Sequence, residues 1–297
     1  MYTSRSSRSG QAVPPNVVSI AGIDPSGGAG VFADIKTFSA LGAYGCGVVA
    51  SLTAQNTQGV TGIHTPSVEF LRLQIDTLFS DVDLHACKIG MLGNSEVVFT
   101  VADRLAHWHP ANIVLDPVMI SKSGYALLGR KAIMALREAL LPMAFIITPN
   151  LPEAGVLLDE RMPETLSEMR RAVEHLRKML PTASERWVLL KGGHLPGSDL
   201  IDLLFDGERM IELATRRIDT PNTHGTGCVL SSAIAALLPQ CHTGPSVSTV
   251  ETTARAARDY LHHAIANAEL LRVGRGHGPV HHFHALWAKP EDFSPPR

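Results

Sequence analysis

The chain has only four cysteines, Cys46, Cys87, Cys228 and Cys241, and no Cys-x-x-Cys pair among them. That argues against a cysteine zinc site and a disulfide framework, so buried reduced thiols are expected. Long hydrophobic runs are also missing. No stretch approaches the roughly 18 apolar residues of a spanning helix, and the helical segments carry charges. Charge of one sign does not dominate. With 26 Lys and Arg, scattered along the chain, against 28 Asp and Glu, the formal charge of -2 gives no electrostatic footprint for nucleic acid. The opening segment MYTSRSSRSG lacks the apolar core of a secretion signal. Residues 1–16 therefore read as a disordered polar tail, and the protein is expected to be cytoplasmic, without membrane contact. No linker, repeat or charge block divides residues 17–297, which are expected to form one domain.

What is present is an alternation of short apolar runs with longer amphipathic ones. Strands are expected at Val17–Ile20, Gly45–Val49, Ala86–Ile89, Asn112–Leu115, Ala144–Thr148 and Trp187–Lys191. Between them fall helical patterns at Val31–Leu41, Val68–Phe79, Glu96–Trp108, Arg130–Leu141 and Ser167–Leu180. In the first of these, Phe32, Ile35, Phe38 and Leu41 recur at helical spacing. Ile201–Phe205 and Met210–Ala214, joined through Asp206-Gly207, read as an antiparallel hairpin, and two helices, after Gly227 and over Val250–Leu271, complete the chain. This order predicts an α/β fold of three layers, a mainly parallel sheet between helices, with ligands bound at the carboxyl ends of the strands.

Two glycine-broken loops open helices. Asn222-Thr223-His224-Gly225-Thr226-Gly227-Cys228 runs into an apolar, alanine-rich segment closed by Pro239. The free N–H groups and dipole of a helix N-terminus attract an anion, and Gly225 and Gly227 clear the approach for a phosphate. At the head of that helix Cys228 is expected to have a lowered pKa. The other loop, Asp24-Pro25-Ser26-Gly27-Gly28-Ala29-Gly30, lacks the Gly-x-Gly-x-x-Gly spacing and later acidic residue of a dinucleotide site, and lacks the Gly-Lys-Ser/Thr of a Walker loop. An NAD-dependent oxidoreductase is disfavoured on that ground. Asp34, in the helix that follows, reads either as a group aimed at a small ligand or as a favourable acid in a first turn.

The remaining polar residues fall at strand ends. In Thr53-Ala54-Gln55-Asn56-Thr57, the Gln55 amide offers a donor and an acceptor to the edge of an aminopyrimidine. Asp116, in DPVM, and Glu153, in PNLPE with Asn150, are hard oxygen donors at adjacent strand ends. Beside an anion loop they favour a Mg²⁺ that also touches nucleotide phosphates over strand termination and helix capping. Lys191, in KGGH, is either a point charge for phosphates or a lysine snorkelling off a strand end. The histidine-rich GHGPVHHFH at 276–284 has no partner cysteines, and packing of the tail is preferred to a metal site.

The motifs AGIDPSGGAG at 21–30, TAQNT at 53–57, KIGML at 88–92, DPVM at 116–119, TPNLPEA at 148–154, KGGH at 191–194, THGTGC at 223–228 and GHGPVHHFH at 276–284 occur in this order. Together they closely resemble the hydroxymethylpyrimidine/phosphomethylpyrimidine kinases of thiamine biosynthesis, in the ribokinase-like superfamily. The resemblance implies ATP-dependent phosphorylation of 4-amino-5-hydroxymethyl-2-methylpyrimidine and then of its monophosphate. It assigns Gly22, Asp34, Gln55, Met91 and Val118 to the pyrimidine, and Asp116, Glu153 and Asn150 to the Mg²⁺ region. Lys191 and Thr223 go with the ATP phosphates, and the amides of Gly225, Thr226, Gly227 and Cys228 form an anion hole. It also implies a homodimer, which nothing in the residues supports independently. Cys228 then acts either as a thiolate base or as a positioning group, and Ser121-Lys122-Ser123-Gly124 is expected to serve as a closing flap. The competing readings are a pyridoxal or pyridoxine kinase of the same superfamily, disfavoured by Gln55, and a non-catalytic pyrimidine sensor.

Overall fold

Adjacent residues of the central strands point to opposite faces, and both faces are buried, which is why these strands read as unbroken apolar runs. Trp187 and Leu189 pack on one side of the sheet while Val188 and Leu190 pack on the other. A computed structural model describes residues 13–120, 127–241 and 247–287. Its strands are β1 (Asn16–Ile23), β2 (Tyr44–Asn56), β3 (Gly59–His64), β4 (Ala86–Ile89), β5 (Ile113–Leu115), β6 (Ile146–Ile147), β7 (Trp187–Leu190), β8 (Asp199–Phe205) and β9 (Met210–Arg216). They form one sheet in the order β3-β2-β1-β4-β5-β6-β7-β8-β9. Pairing is parallel from β2 through β7 and antiparallel for β3 on β2, β8 on β7 and β9 on β8.

The helices are α1 (Gly30–Ala40), α2 (Val68–Phe79), α3 (Ser95–Trp108), α4 (Arg130–Ala135), α5 (Leu151–Leu158), α6 (Leu166–Lys178), α7 (Thr226–Leu237) and α8 (Val247–Ala266). Apolar residues of α1, α7 and α8 cover one face, and those of α2 to α6 cover the other. Side chains cap several helices: Ser67, Asn94 and Thr165 accept from the backbone N–H three residues on, at α2, α3 and α6. The three-layer expectation therefore holds.

Four local expectations change. Strand β2 runs through Asn56, so Thr53–Asn56 lie within it rather than after an end at Val49. They pair with β3, which has no buried alternation to betray it. A capping box between Asn150 and Glu153 starts an eight-residue helix, α5; no helix was among those expected there, but the helix-capping alternative for Glu153 is borne out. Helix α4 passes into a π-turn over Leu136–Leu140. At the amino end, Pro15 is buried and its carbonyl accepts from Tyr44 N–H at 2.9 Å, so order begins before Val17. The rest of the expected tail, residues 1–12, and the expected flap at Ser121–Gly124 lie outside the described residues.

Candidate active site

Strands β1, β4, β5, β6 and β7 all point their carboxyl ends at one edge of the sheet. The loops leaving them, with the head of α7, enclose a cavity of about 390 Å³. Gly22, Gln55, Met91, Asp116, Val118, Asn150, Glu153, Lys191 and Thr223 line it, as do Gly225, Thr226, Gly227 and Cys228. Asp34 does not. It is fully buried behind the wall, where its carboxylate takes two bonds from Lys88 Nζ at 2.8 and 2.9 Å, one from Ser19 Oγ and one from Ser232 Oγ at 2.7 Å. A carboxylate with every lone pair used and no access to the cavity holds its neighbours in place rather than a ligand. This corrects both readings of Asp34.

At the centre of the site, Asp116 Oδ1 accepts from Lys191 Nζ at 3.0 Å and from Thr148 Oγ1 at 3.2 Å, while Oδ2 accepts from Ser231 Oγ on α7 at 3.2 Å. Burial opposes ionisation of Asp116, but Lys191 and Lys88 overcome it and hold the carboxyl below its usual range. Glu153 behaves differently. Burial pushes its carboxyl up to about 7, with Lys191 opposing and the Asp116 charge adding to the rise. Two buried carboxylates therefore face the cavity with a single lysine between them, a deficit of positive charge that a divalent cation would relieve. Asn150 needs a correction. Its Oδ1 accepts from Glu153 N–H at 2.9 Å and its own N–H donates to Glu153 Oε2 at 2.8 Å, so it orients Glu153 instead of presenting an oxygen to the cation.

Of the pyrimidine-assigned residues, Gly22 and Gln55 lie in β1 and β2, while Met91 and Val118 follow β4 and β5. Gly22 N–H donates to the Met91 carbonyl at 2.9 Å, and a Cβ at Gly22 would lie 2.7 Å from Met91 Cε, so the methionine tip packs directly on this backbone. Thr53 Oγ1 donates its one proton to the Ile23 carbonyl at 2.8 Å and lies 3.2 Å from the side-chain amide of Gln55, so Thr53 steadies that amide at the cavity wall.

The anion loop is backbone-built. Gly225 has φ of 81°, and a Cβ there would run into the Gly28 carbonyl, so the two glycine loops are in direct backbone contact. Gly227 brings the loop against the lysine: a Cβ on it would lie 3.2 Å from Lys191 Nζ. Cys228 lines the cavity as expected, but its thiol is not acidic. Burial pushes it up to about 11; Lys88 pulls it down, and the charges of Asp34 and Asp116 push it further up. At pH 7 that leaves about one thiol in 10⁴ ionised, which overturns the expectation of a lowered pKa.

A nucleotide-sized cleft with buried carboxylates, a committed lysine and a glycine anion loop is a phosphoryl-transfer constellation. The phosphomethylpyrimidine kinase family model matches residues 24–281. The chain belongs to that family. It is 48% identical over 272 residues to the hydroxymethylpyrimidine/phosphomethylpyrimidine kinase of Escherichia coli (strain K12), across 92% of this chain and 98% of that one. The phosphomethylpyrimidine kinase of Clostridium difficile 630 superposes with a TM-score of 0.72 at 36% identity, covering 84% of this chain and 99% of that one. An ADP complex of Bacillus subtilis pyridoxal kinase gives 0.79 at 30% identity, covering 91% and 98%. The fold is ribokinase-like, and the chain is a phosphotransferase of this family.

Several cavity residues of this phosphomethylpyrimidine kinase family member were not singled out from sequence. Asp24 and His224 both line the cavity and pair at 2.7 Å between Oδ2 and Nε2. Being 200 positions apart, they carried no signal of each other, although each stands inside a quoted motif. Lys88 was legible in principle, as a lone charge within the buried run Ala86-Cys87-Lys88-Ile89. Of the histidines in the carboxyl-terminal motif, His281 and His282 are buried, with Trp287 edge-on against His281, while His277 is exposed. No group of three or more metal-ligating side chains occurs among the described residues.

Proposed function

We propose that the chain transfers the ATP γ-phosphoryl group to the 5-hydroxymethyl oxygen of 4-amino-5-hydroxymethyl-2-methylpyrimidine, and then to the phosphate of that product, in thiamine biosynthesis. One observation carries this reading: Gln55, the Asp116–Lys191 pair, Glu153 and the Gly225–Cys228 loop share one cavity in a member of this family. The Gln55 amide, a donor and an acceptor in one group, suits the edge of the aminopyrimidine ring, with Met91 and Val118 against the ring faces. Lys191 and Thr223 hold the triphosphate, and the loop amides stabilise charge on the migrating group.

Mg²⁺ is the cation we assign to Asp116 and Glu153, whose oxygen donors and excess negative charge fit it; bound there, it neutralises and orients phosphate oxygens. With its thiol protonated, Cys228 positions the hydroxymethyl group by hydrogen bonding and is ionised, if at all, only as the reaction proceeds. The same reading takes the enzyme as a cytoplasmic homodimer. Exposed Leu52 and Ile63 on the β2–β3 hairpin, with Phe70 and Leu73 on α2, supply apolar surface for association. Among the described residues no helix is long and apolar enough to cross a membrane.

The test is ADP release with ATP and Mg²⁺, comparing the pyrimidine alcohol, its monophosphate and pyridoxal as acceptors. Turnover on both pyrimidines is expected. A preference for pyridoxal would refute the Gln55 argument, and no turnover on any acceptor would turn the reading to a binding protein.

A further inference from the structure

The two phosphorylations ask opposite things of one cavity. In the first, the hydroxymethyl oxygen attacks the γ-phosphorus and must lose a proton. In the second, an oxygen of the acceptor's phosphomonoester attacks: a new P–O bond forms, the bond from the γ-phosphorus to the β–γ bridging oxygen breaks, and its electron pair leaves with ADP. A phosphomonoester with a second pKa near 6 is already largely dianionic at neutral pH. That step therefore needs no base. It needs donors that hold a dianion beside the polyanionic nucleotide.

The Asp24–His224 pair meets that need. His224 directly precedes the anion loop and is 7% exposed, so more than nine-tenths buried, yet it lines the cavity. Its Nε2 is committed to Asp24 Oδ2, and this is the one side-chain hydrogen bond it makes among the described residues, so Nδ1 is the ring nitrogen left for a ligand; it donates to a phosphate when the ring is the imidazolium, with Asp24 as its counter-ion. Asp24 is itself anchored. Burial works against its charge, but His224 and Ser26 outweigh that and hold the carboxyl below its usual range. Ser26 N–H and Ala29 N–H donate to it at 2.9 and 3.0 Å.

The ring packs against the first glycine loop, where a Cβ at Gly28 would strike His224 Cδ2, and the backbone N–H of His224 is tied to the Gly278 carbonyl at 3.1 Å. The carboxyl-terminal Gly-His-Gly-Pro stretch thus serves to fix His224. Lys191, by contrast, is shared between Asp116 and, in the reading above, the triphosphate, and Lys88 is taken by Asp34 behind the wall.

We infer that His224, oriented by Asp24, binds the phosphate of the monophosphorylated acceptor and so fits the site to the second phosphorylation. This rests on the kinase reading above. The experiment measures kcat and KM separately for the pyrimidine alcohol and for its monophosphate in wild type, His224→Asn and Asp24→Asn. In both variants KM for the monophosphate should rise by about 10-fold or more, the scale of a lost charge-assisted hydrogen bond, and by several-fold more than KM for the alcohol.

Equal changes on the two acceptors would reduce the pair to a staple between the glycine loops and overturn the inference. An unchanged monophosphate KM would do the same, as would a wild type that turns over the alcohol alone. A wild type inert on both acceptors would instead defeat the kinase reading. Independently of any variant, ¹⁵N-histidine spectra of the wild type should show one imidazole shifted by the monophosphate and not by the alcohol. Identical spectra with the two ligands count against the assignment.

Discussion

Replacing Lys88 by methionine tests how the wall behind the anion loop is held. Both partners of the Lys88–Asp34 pair are fully buried, so Lys88→Met keeps the volume and leaves the Asp34 carboxylate facing only the hydroxyls of Ser19 and Ser232. Breaking a buried pair from one side typically costs about 3–5 kcal/mol, against a total stability of about 5–15 kcal/mol. The variant should therefore unfold at markedly lower urea concentration. Lys88→Met combined with Asp34→Leu should recover part of the loss, because two hydroxyls without an acceptor cost less than one uncompensated charge.

The pair also contributes in one pH range only. Burial would lower the Lys88 pKa, but Asp34, with Cys228 and Asp116, raises it above the ordinary lysine value. Its contribution is then complete at neutral pH and is lost as pH rises through the raised folded value. Ser232 stands one turn beyond Cys228 on α7 and bonds Asp34, so a slackened wall should also lower kcat/KM. Urea titrations of the two singles and the double settle the matter. A Lys88→Met cost below about 1 kcal/mol, or a double as unstable as the worse single, would refute the argument.

Two further predictions follow from titratable groups. Alkylation of Cys228 by iodoacetamide, followed at its peptide by mass spectrometry, should keep rising with pH toward the value of about 11, and Cys228→Ser should retain most of kcat. A plateau near pH 7, or a loss of about 10²-fold in the serine variant, would restore the thiolate base. His282 is pushed from 6.5 down to about 3 by burial, then by Lys36 and His281. Between those values only the unfolded chain is protonated there, so stability falls as pH drops, by at most about 1.4 kcal/mol per pH unit. Asp24 and Asp116, held low, add to the same acid loss. The readout is therefore the difference in urea stability between pH 7 and 5 for wild type and His282→Leu; equal pH dependence in the two would refute the contribution.

The order of strands and helices was legible because the central strands, buried on both faces, had to be short apolar runs, while their crossover helices carried a 3.6-residue period. The helix over Val68–Phe79 and the strand over Ala86–Ile89 match their expected bounds for that reason. The anion loop and the strand-end carboxylates were legible too, since glycine spacing and an acid after an apolar run are local features. The β2–β3 hairpin was not, because β3 has an exposed face on both sides and so no period. The short helix α5 was legible only as the capping alternative for Glu153, since its start depends on a reciprocal bond between Asn150 and Glu153.

The sequence by itself thus determined the α/β class, the family resemblance and the residues that meet at the strand ends. Tertiary structure decided what those residues face. Asp34 was free to reach a ligand until Lys88, 54 positions away, closed on it. Asp24 and His224 met only when two glycine loops packed backbone to backbone. The Cys228 thiol shows the physical reason: a helix N-terminus is visible in the sequence and favours the thiolate, but desolvation depends on everything packed around the sulfur, and here desolvation prevails.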